Sequence, residues 1–206
     1  MEAKQLVYMD VETTGLRTEY DRIVSISGLI VSEPQNIVFN ALVNPTVPIP
    51  DEASRVHGLC DADVAQCENF KQVGERFFKW VYEHAGKHPV LAAYNGLGYD
   101  FQILWHEAKR WKCTLPPFES VRGYDPLRAA RVVLRHLPSK RQAEVYRHLF
   151  GEPPDKQHTS LGDVLAMERI VRHDVFANTF EDHTKPLRFT SSQPSAAPAR
   201  AQASRG

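Results

Sequence analysis

Asp10 and Glu12 stand one residue apart in LVYMDVETTGL, where an apolar run gives way to a glycine turn. Alternate residues of a strand share a face, so this spacing can set two carboxylates side by side, where repulsion is costly without a cation between them. Hard oxygen donors of that kind favour Mg²⁺ or Mn²⁺. A solvated strand end would carry the same residues, and a bare Asp-x-Glu is common. A third carboxylate, Asp100, follows the break Asn95-Gly96-Leu97-Gly98-Tyr99 after the apolar run 90–94. Open α/β sheets gather ligands at the carboxyl ends of their strands, although Asp100 could equally cap the helix that begins there. His158 and Asp163 are five residues apart, and five residues turn a helix through about 500°. They converge only if His158 lies in a loop and Asp163 in the first helical turn. Ser160-x-x-Asp163 also has the form of a capping box with Asp in place of Glu.

The elements that must position these groups are legible from periodicity. Residues 5–9, 22–31 and 36–43 are rich in β-branched residues and partly alternate, which predicts three early strands. A proline-punctuated loop, 44–51, follows. Phe70, Val73, Phe77, Trp80 and Val81 fall at helical spacing, as do Phe101, Leu104, Trp105, Ala108 and Trp111 after the strand expected at 90–94. A strand at 119–125, helices at 126–137 and 140–150, and a last helix from near Ser160 complete the pattern; Gly151 with Pro153 and Pro154 marks a helix stop. The expected fold is α/β: a mixed sheet with antiparallel early strands, flanked by helices. Residues 1–183 are expected to form one domain, and 184–206, rich in Ser, Ala and Pro, a disordered tail.

Composition narrows the function classes. With 25 basic and 25 acidic residues, the chain has no net field to coat a polyanion indiscriminately, so any nucleic-acid contact must be local. It contains no long apolar span and no secretory-type N-terminus, which predicts a soluble intracellular protein with no membrane partner, in cytoplasm or nucleus. Cys60, Cys67 and Cys113 form no CxxC pair, and are expected to be reduced and mostly buried. Of the basic residues, the run 109–112 (Lys-Arg-Trp-Lys) reads as a solvated helix face more readily than as a phosphate contact.

Taken in order, two carboxylates after strand one, a third after strand four, and a His and a carboxylate at the last helix describe a two-metal phosphodiester hydrolase. As DVETTGL, YNGLGYD and HTSLGD, the three segments resemble the motifs of the DEDDh class of 3′-to-5′ exonucleases, over residues 4–173. Within the class, VYRHLFGEPPDKQHTSLGDVLAM is similar to the three-prime repair exonucleases, whereas IPDEASRVHGL is similar to the proofreading (epsilon) subunit of bacterial polymerase III. The resemblance implies a ribonuclease H-like fold, two Mg²⁺ (with Mn²⁺ as a substitute) held by Asp10, Glu12, Asp100 and Asp163, and His158 as general base. It also implies substrate contacts from Thr13, Leu16, Val56, Asn95 and Tyr99, with Leu16 and Val56 wedging against the last bases. The implied reaction releases 5′-mononucleotides from 3′ ends of DNA, single-stranded or frayed, as in repair or proofreading. An exoribonuclease and a non-catalytic end-binding module are the alternatives, and an edge-to-edge homodimer is a further implication.

Overall fold

In the computed structural model, residues 6–155 and 158–189 are described. Strands β1 (Leu6–Thr13), β2 (Ile23–Ile30) and β3 (Ile37–Leu42) form the expected antiparallel meander. Helices α1 (Asp51–His57), α2 (Asp61–Val64) and α3 (Phe70–Ala85) follow, then β4 (Val90–Ala92), α4 (Asp100–Arg110) and β5 (Val121–Tyr124). The chain continues through α5 (Pro126–Val133), α6 (Gln142–Phe150), α7 (Ser160–Arg172), a 3₁₀ turn (Asp174–Phe176) and β6 (Thr184–Leu187). The six strands make one sheet in the order β3-β2-β1-β4-β5-β6, parallel at β1–β4 and β4–β5 and antiparallel elsewhere.

The period of two in β1 sorts its side chains between two cores. Val7, Met9 and Val11 join Phe70, Phe77, Ile103 and Leu104 in the layer beneath α3 and α4. Tyr8 points the other way, joining Leu29, Val90, Tyr124, Val164 and Met167 beneath α5 to α7. Asp10 and Glu12 share the Tyr8 face by alternation, opposite Ser27 and Ser25 of β2. On the α3 side, Trp80 lies so close to β2 that a Cβ at Gly28 would stand 2.7 Å from its ring. A fully buried Phe or Leu contributes about 1.5–3 kcal/mol, so the two layers hold the sheet from both faces.

Several expectations need correction. Two short helices, α1 and α2, occupy a stretch for which no helix was expected. They lack a repeating apolar face, and α1 stops at Gly58 in the left-handed region (φ 77°). The boundary at 183/184 moves outward, because β6 pairs with β5 from Val121↔Leu187 to Tyr124↔Thr184. Phe189 beyond it is buried against Phe78 and Trp105, at ring separations of 5.4 and 5.8 Å. A four-residue edge strand containing Pro186 carries little local signal, since proline donates nothing to a ladder. Residues 190–206 of the expected tail lie outside the described residues. Cys60 is exposed, and Cys67 and Cys113 are only partly buried; all three are free. Among the described residues no helix is long and apolar enough to cross a membrane.

Candidate active site

Two element ends meet on the Tyr8 face of the sheet. The end of β1 supplies Asp10 and Glu12, and the first turn of α7 supplies Asp163. Carboxylate oxygens of these three residues lie within 4.8 Å of one another. The start of α7 is docked on β2 by Ser160, whose hydroxyl is 2.8 Å from both Ser25 Oγ and Ser27 Oγ. Because Ser25 and Ser27 are the cross-strand partners of Glu12 and Asp10, this contact ties the first turn of α7 to the strand register that carries both β1 carboxylates. Ser160 is therefore not the helix cap: Thr159 Oγ1 accepts from the Gly162 N–H at 3.1 Å, and Ser160 is turned inward.

Asp100 opens α4 and is buried, at 4% exposure. It does not belong to the 4.8 Å trio. Its carboxylate accepts backbone N–H bonds, one from Val11 between the two β1 ligand candidates, and Tyr99 occupies the cap position instead. Burial pushes the Asp100 carboxyl up to about 7, with Asp125 and Asp163 adding to the rise and the backbone donors opposing it. Glu12 is likewise pushed up to about 7 by burial, then by Asp163 and Asp100. Asp10 rises well above the carboxylate range, through burial and then Asp100, Asp163 and Glu12. Burial also raises Asp163, against the pull of His158. Four carboxyls that each resist ionisation beside one another constitute a cluster short of positive charge. Oxygen-only donors at this spacing fit a hard divalent cation.

His158 is in the loop before α7, as required for convergence with Asp163. It is exposed, adopts φ 62°, and its backbone N–H donates to Asp163 Oδ2 at 3.2 Å. The left-handed turn is thus held by the same carboxylate that joins the trio. The implied substrate residues are distributed around this centre. Tyr99 Oη lies 2.6 Å from Thr13 Oγ1 and donates to the Gly15 carbonyl, while Thr13 Oγ1 donates to the same carbonyl at 2.9 Å. These contacts pin the loop after β1 to the loop before α4. Leu16 and Val56 project into solvent, 86% and 56% exposed. Asn95 is exposed at φ 65°, and its N–H donates to Asp125 Oδ1 at 3.0 Å.

A cavity of about 730 Å³ opens beside Glu12. Asn40 and Leu42 of β3, His57, and α7 from Ser160 to Arg169 line it. His57 Nδ1 accepts the Leu59 N–H at 3.1 Å, and burial lowers the ring's pKa against an opposing pull from the Thr13 carbonyl.

The family model described as Exonuclease matches residues 7–171. The chain belongs to the exonuclease family. Among relatives of this family member is the DNA polymerase III subunit epsilon-like protein of Rhodobacter capsulatus, 31% identical over 166 residues, 78% of this chain and 22% of that protein. Human three prime repair exonuclease 2 is 25% identical over 197 residues, 83% of this chain and 84% of its own. The chain thus spans about a fifth of the length of the first and most of the second. Together with the polymerase III epsilon subunit of Treponema pallidum, these relatives match the DEDDh superfamily. Among solved structures, exonuclease I superposes with a TM-score of 0.66 at 18% identity, over 87% of this chain and 42% of that one. The zinc-bound complex of E. coli exonuclease I with single-stranded DNA gives 0.63 at 16%, over 83% and 41%. These two likenesses establish the ribonuclease H-like fold.

Two supports of this exonuclease-family site escaped sequence reasoning. Asp125, almost fully buried, caps α5 through the Leu127 N–H at 3.1 Å, holds the Asn95 loop, and adds negative field at Asp100. Its signal was the Asp125-Pro126 step at the start of a helix. The second is the hydroxyl layer of Ser25, Ser27 and Ser160, for which an alternating strand offers no distinguishing mark.

Proposed function

We propose that the chain is a metal-dependent 3′-to-5′ exonuclease that removes 5′-mononucleotides from 3′ ends of DNA, acting on single-stranded or frayed ends. The observation that carries this reading is the set of carboxylate oxygens of Asp10, Glu12 and Asp163 within 4.8 Å of one another, with the Asp100 carboxyl buried behind them. Asp10, Glu12, Asp100 and Asp163 would hold two Mg²⁺ (or Mn²⁺), which supply a nucleophile at neutral pH and neutralise charge on the phosphate. His158 accepts the water proton on a ring nitrogen, and its exposed loop position lets the ring approach the nucleophile. Leu16 and Val56 pack on the terminal bases, while the Thr13–Tyr99–Gly15 knot and the Asn95 turn shape the walls around the 3′ nucleotide. β3 is the edge of the sheet, with backbone groups on its outer side that no other strand pairs among the described residues, which supports pairing with a second copy in a homodimer.

The test is shortening of 5′-labelled single-stranded DNA and RNA of equal sequence, with Mg²⁺ or EDTA, by the wild-type protein and by Asp10→Ala and His158→Ala. Metal-dependent loss of nucleotides from the 3′ end of DNA, abolished by Asp10→Ala, is expected. Shortening that survives both substitutions, or no shortening, refutes the reading, and preference for RNA replaces it with an exoribonuclease. DNA binding without turnover by an otherwise intact protein would make it an end-binding module.

A further inference from the structure

Leu16 and Tyr20 are the two most exposed large hydrophobic side chains among the described residues, at 86% and 69% exposure, and both stand on the loop between β1 and β2. Single exposed apolar residues are ordinary. This loop is unusual in how firmly it is held. The Tyr20 and Asp21 N–H groups both donate to the Arg17 carbonyl, at 2.9 and 2.8 Å. Asp21 Oδ2 accepts the Arg17 N–H at 2.7 Å, and Asp21 lies so close to Gly15 that any Cβ there would meet its carboxylate. From α4, the Arg110 guanidinium donates to the carbonyls of Glu19 and Asp21, the residues on either side of Tyr20. Arg110 is paired with Glu107, which has no exposed surface and also meets Arg22 at 3.4 Å. Arg110 is therefore neither a solvated helix residue nor a phosphate contact, the two readings its sequence context allowed.

Burying a carboxylate costs several kcal/mol even when it is paired, and a hydrophobic replacement would often be as stable. Here the buried charge holds a surface loop in one shape around an aromatic ring that touches little of the protein. The Arg17 guanidinium carbon stands over the Tyr20 ring, 5.6 Å from its centroid, and Arg17 Nε is 3.6 Å from Asp21 Oδ2, while Tyr20 remains 69% exposed. A rigid, solvent-facing aromatic with an adjacent guanidinium is the combination that stacks a nucleobase while attracting its phosphate.

We propose that Tyr20, with Arg17 beside it, is a second base-stacking contact for single-stranded DNA, engaging a base beyond the terminal nucleotide that Leu16 meets. The inference rests on the exonuclease reading and extends it to the length of strand held. The ring adds grip on a longer strand and none on the reacting phosphate, so it acts on KM and on binding, not on kcat.

Tyr20→Ala and Tyr20→Phe are compared with the wild-type protein on a 20-nucleotide single strand and on a dinucleotide, together with anisotropy of a fluorescein-labelled 20-mer in Ca²⁺. Tyr20→Ala is expected to raise KM and Kd for the 20-mer about tenfold, the stacking contribution of one base, while Tyr20→Phe binds like wild type. With the dinucleotide, the KM ratio of Tyr20→Ala to wild type should fall towards one. Equal Kd values for wild type and Tyr20→Ala on the 20-mer overturn the proposal. A wild-type protein that turns over neither substrate yet loses anisotropy on Tyr20→Ala would refute the exonuclease reading and leave the stacking contact standing.

Discussion

Asp100→Asn should make the metal-free protein more stable while making the enzyme inactive. The Asp100 carboxyl is pushed from its ordinary 3.8 to about 7, chiefly by burial and secondarily by Asp125 and Asp163. A tenfold change in the proton equilibrium is worth about 1.4 kcal/mol, so ionised Asp100 strains the fold by roughly 4 kcal/mol. A group whose pKa rises on folding contributes stability that is complete below its ordinary value and is lost as pH climbs through the folded value. Metal-free wild type should therefore weaken between about pH 4 and pH 8. An amide removes the charge and keeps an acceptor for the Val11 N–H. It forfeits the extra strength of a charged hydrogen bond, about 1 kcal/mol, which with relaxation of the site leaves a net gain of about 2 kcal/mol at pH 8. For a domain of this size that is roughly 4–8 °C in Tm. Scanning fluorimetry in EDTA at pH 5 and pH 8 reads the effect. The gain from Asp100→Asn should be small at pH 5 and larger at pH 8, and adding Mg²⁺ should raise the wild-type Tm more than that of the variant. A gain identical at the two pH values, or a variant less stable than wild type at pH 8, would refute the electrostatic argument.

Three further outcomes are expected. His158→Ala should lower kcat by about 10²- to 10⁴-fold with little change in Tm, because the ring is exposed and the Asp163 contact uses its backbone N–H; single-turnover kinetics beside a melting curve separate the two. Glu107→Ala leaves Arg22 and Arg110 with no anion between them and should cost about 3–5 kcal/mol in denaturant unfolding. A chain ending at residue 183 should be at least about 2 kcal/mol less stable than one ending at 189, since it loses both the β6 ladder and the buried Phe189 ring.

Those outcomes trace which parts of the molecule local pattern can reveal. β1, β3, α3, α4, α6 and α7 were legible because each buries one face, which imposes a period of two or of 3.6 on the chain, and β2, buried along its whole length, because it is rich in β-branched residues. α1, α2 and β6 bury too few side chains to impose one. β6 exists because the β5 edge offers unpaired backbone groups and Phe189 finds space between Phe78 and Trp105, conditions set by residues 60 or more positions away.

At the site, the same distinction separates the proposed ligands and base from the groups that support them. Asp10, Glu12, Asp100, His158 and Asp163 were legible because carboxylates and an imidazole at strand and helix ends are chemically conspicuous. The groups that hold them close together were not, because Ser25, Ser27 and Ser160 acquire meaning only across the β1–β2 register and the α7 docking contact. The serine layer has an energetic logic of its own. When ionised, Asp10, Glu12 and Asp163 repel one another, and without cations proton uptake and rigid connections are what keep them together. Ser160 bonded to both cross-strand neighbours of the β1 carboxylates is such a connection. Replacing Ser160 by Ala should therefore do more than remove two hydrogen bonds worth about 1 kcal/mol each. It frees the first turn of α7 to move Asp163 away from Glu12, so the metal-free protein should lose at most about 2 kcal/mol, relief of repulsion offsetting part of the two bonds, while the Mg²⁺ concentration for half-maximal activity rises. If that concentration is unchanged in Ser160→Ala, the serine layer supports the fold alone and something else sets the spacing of the carboxylates.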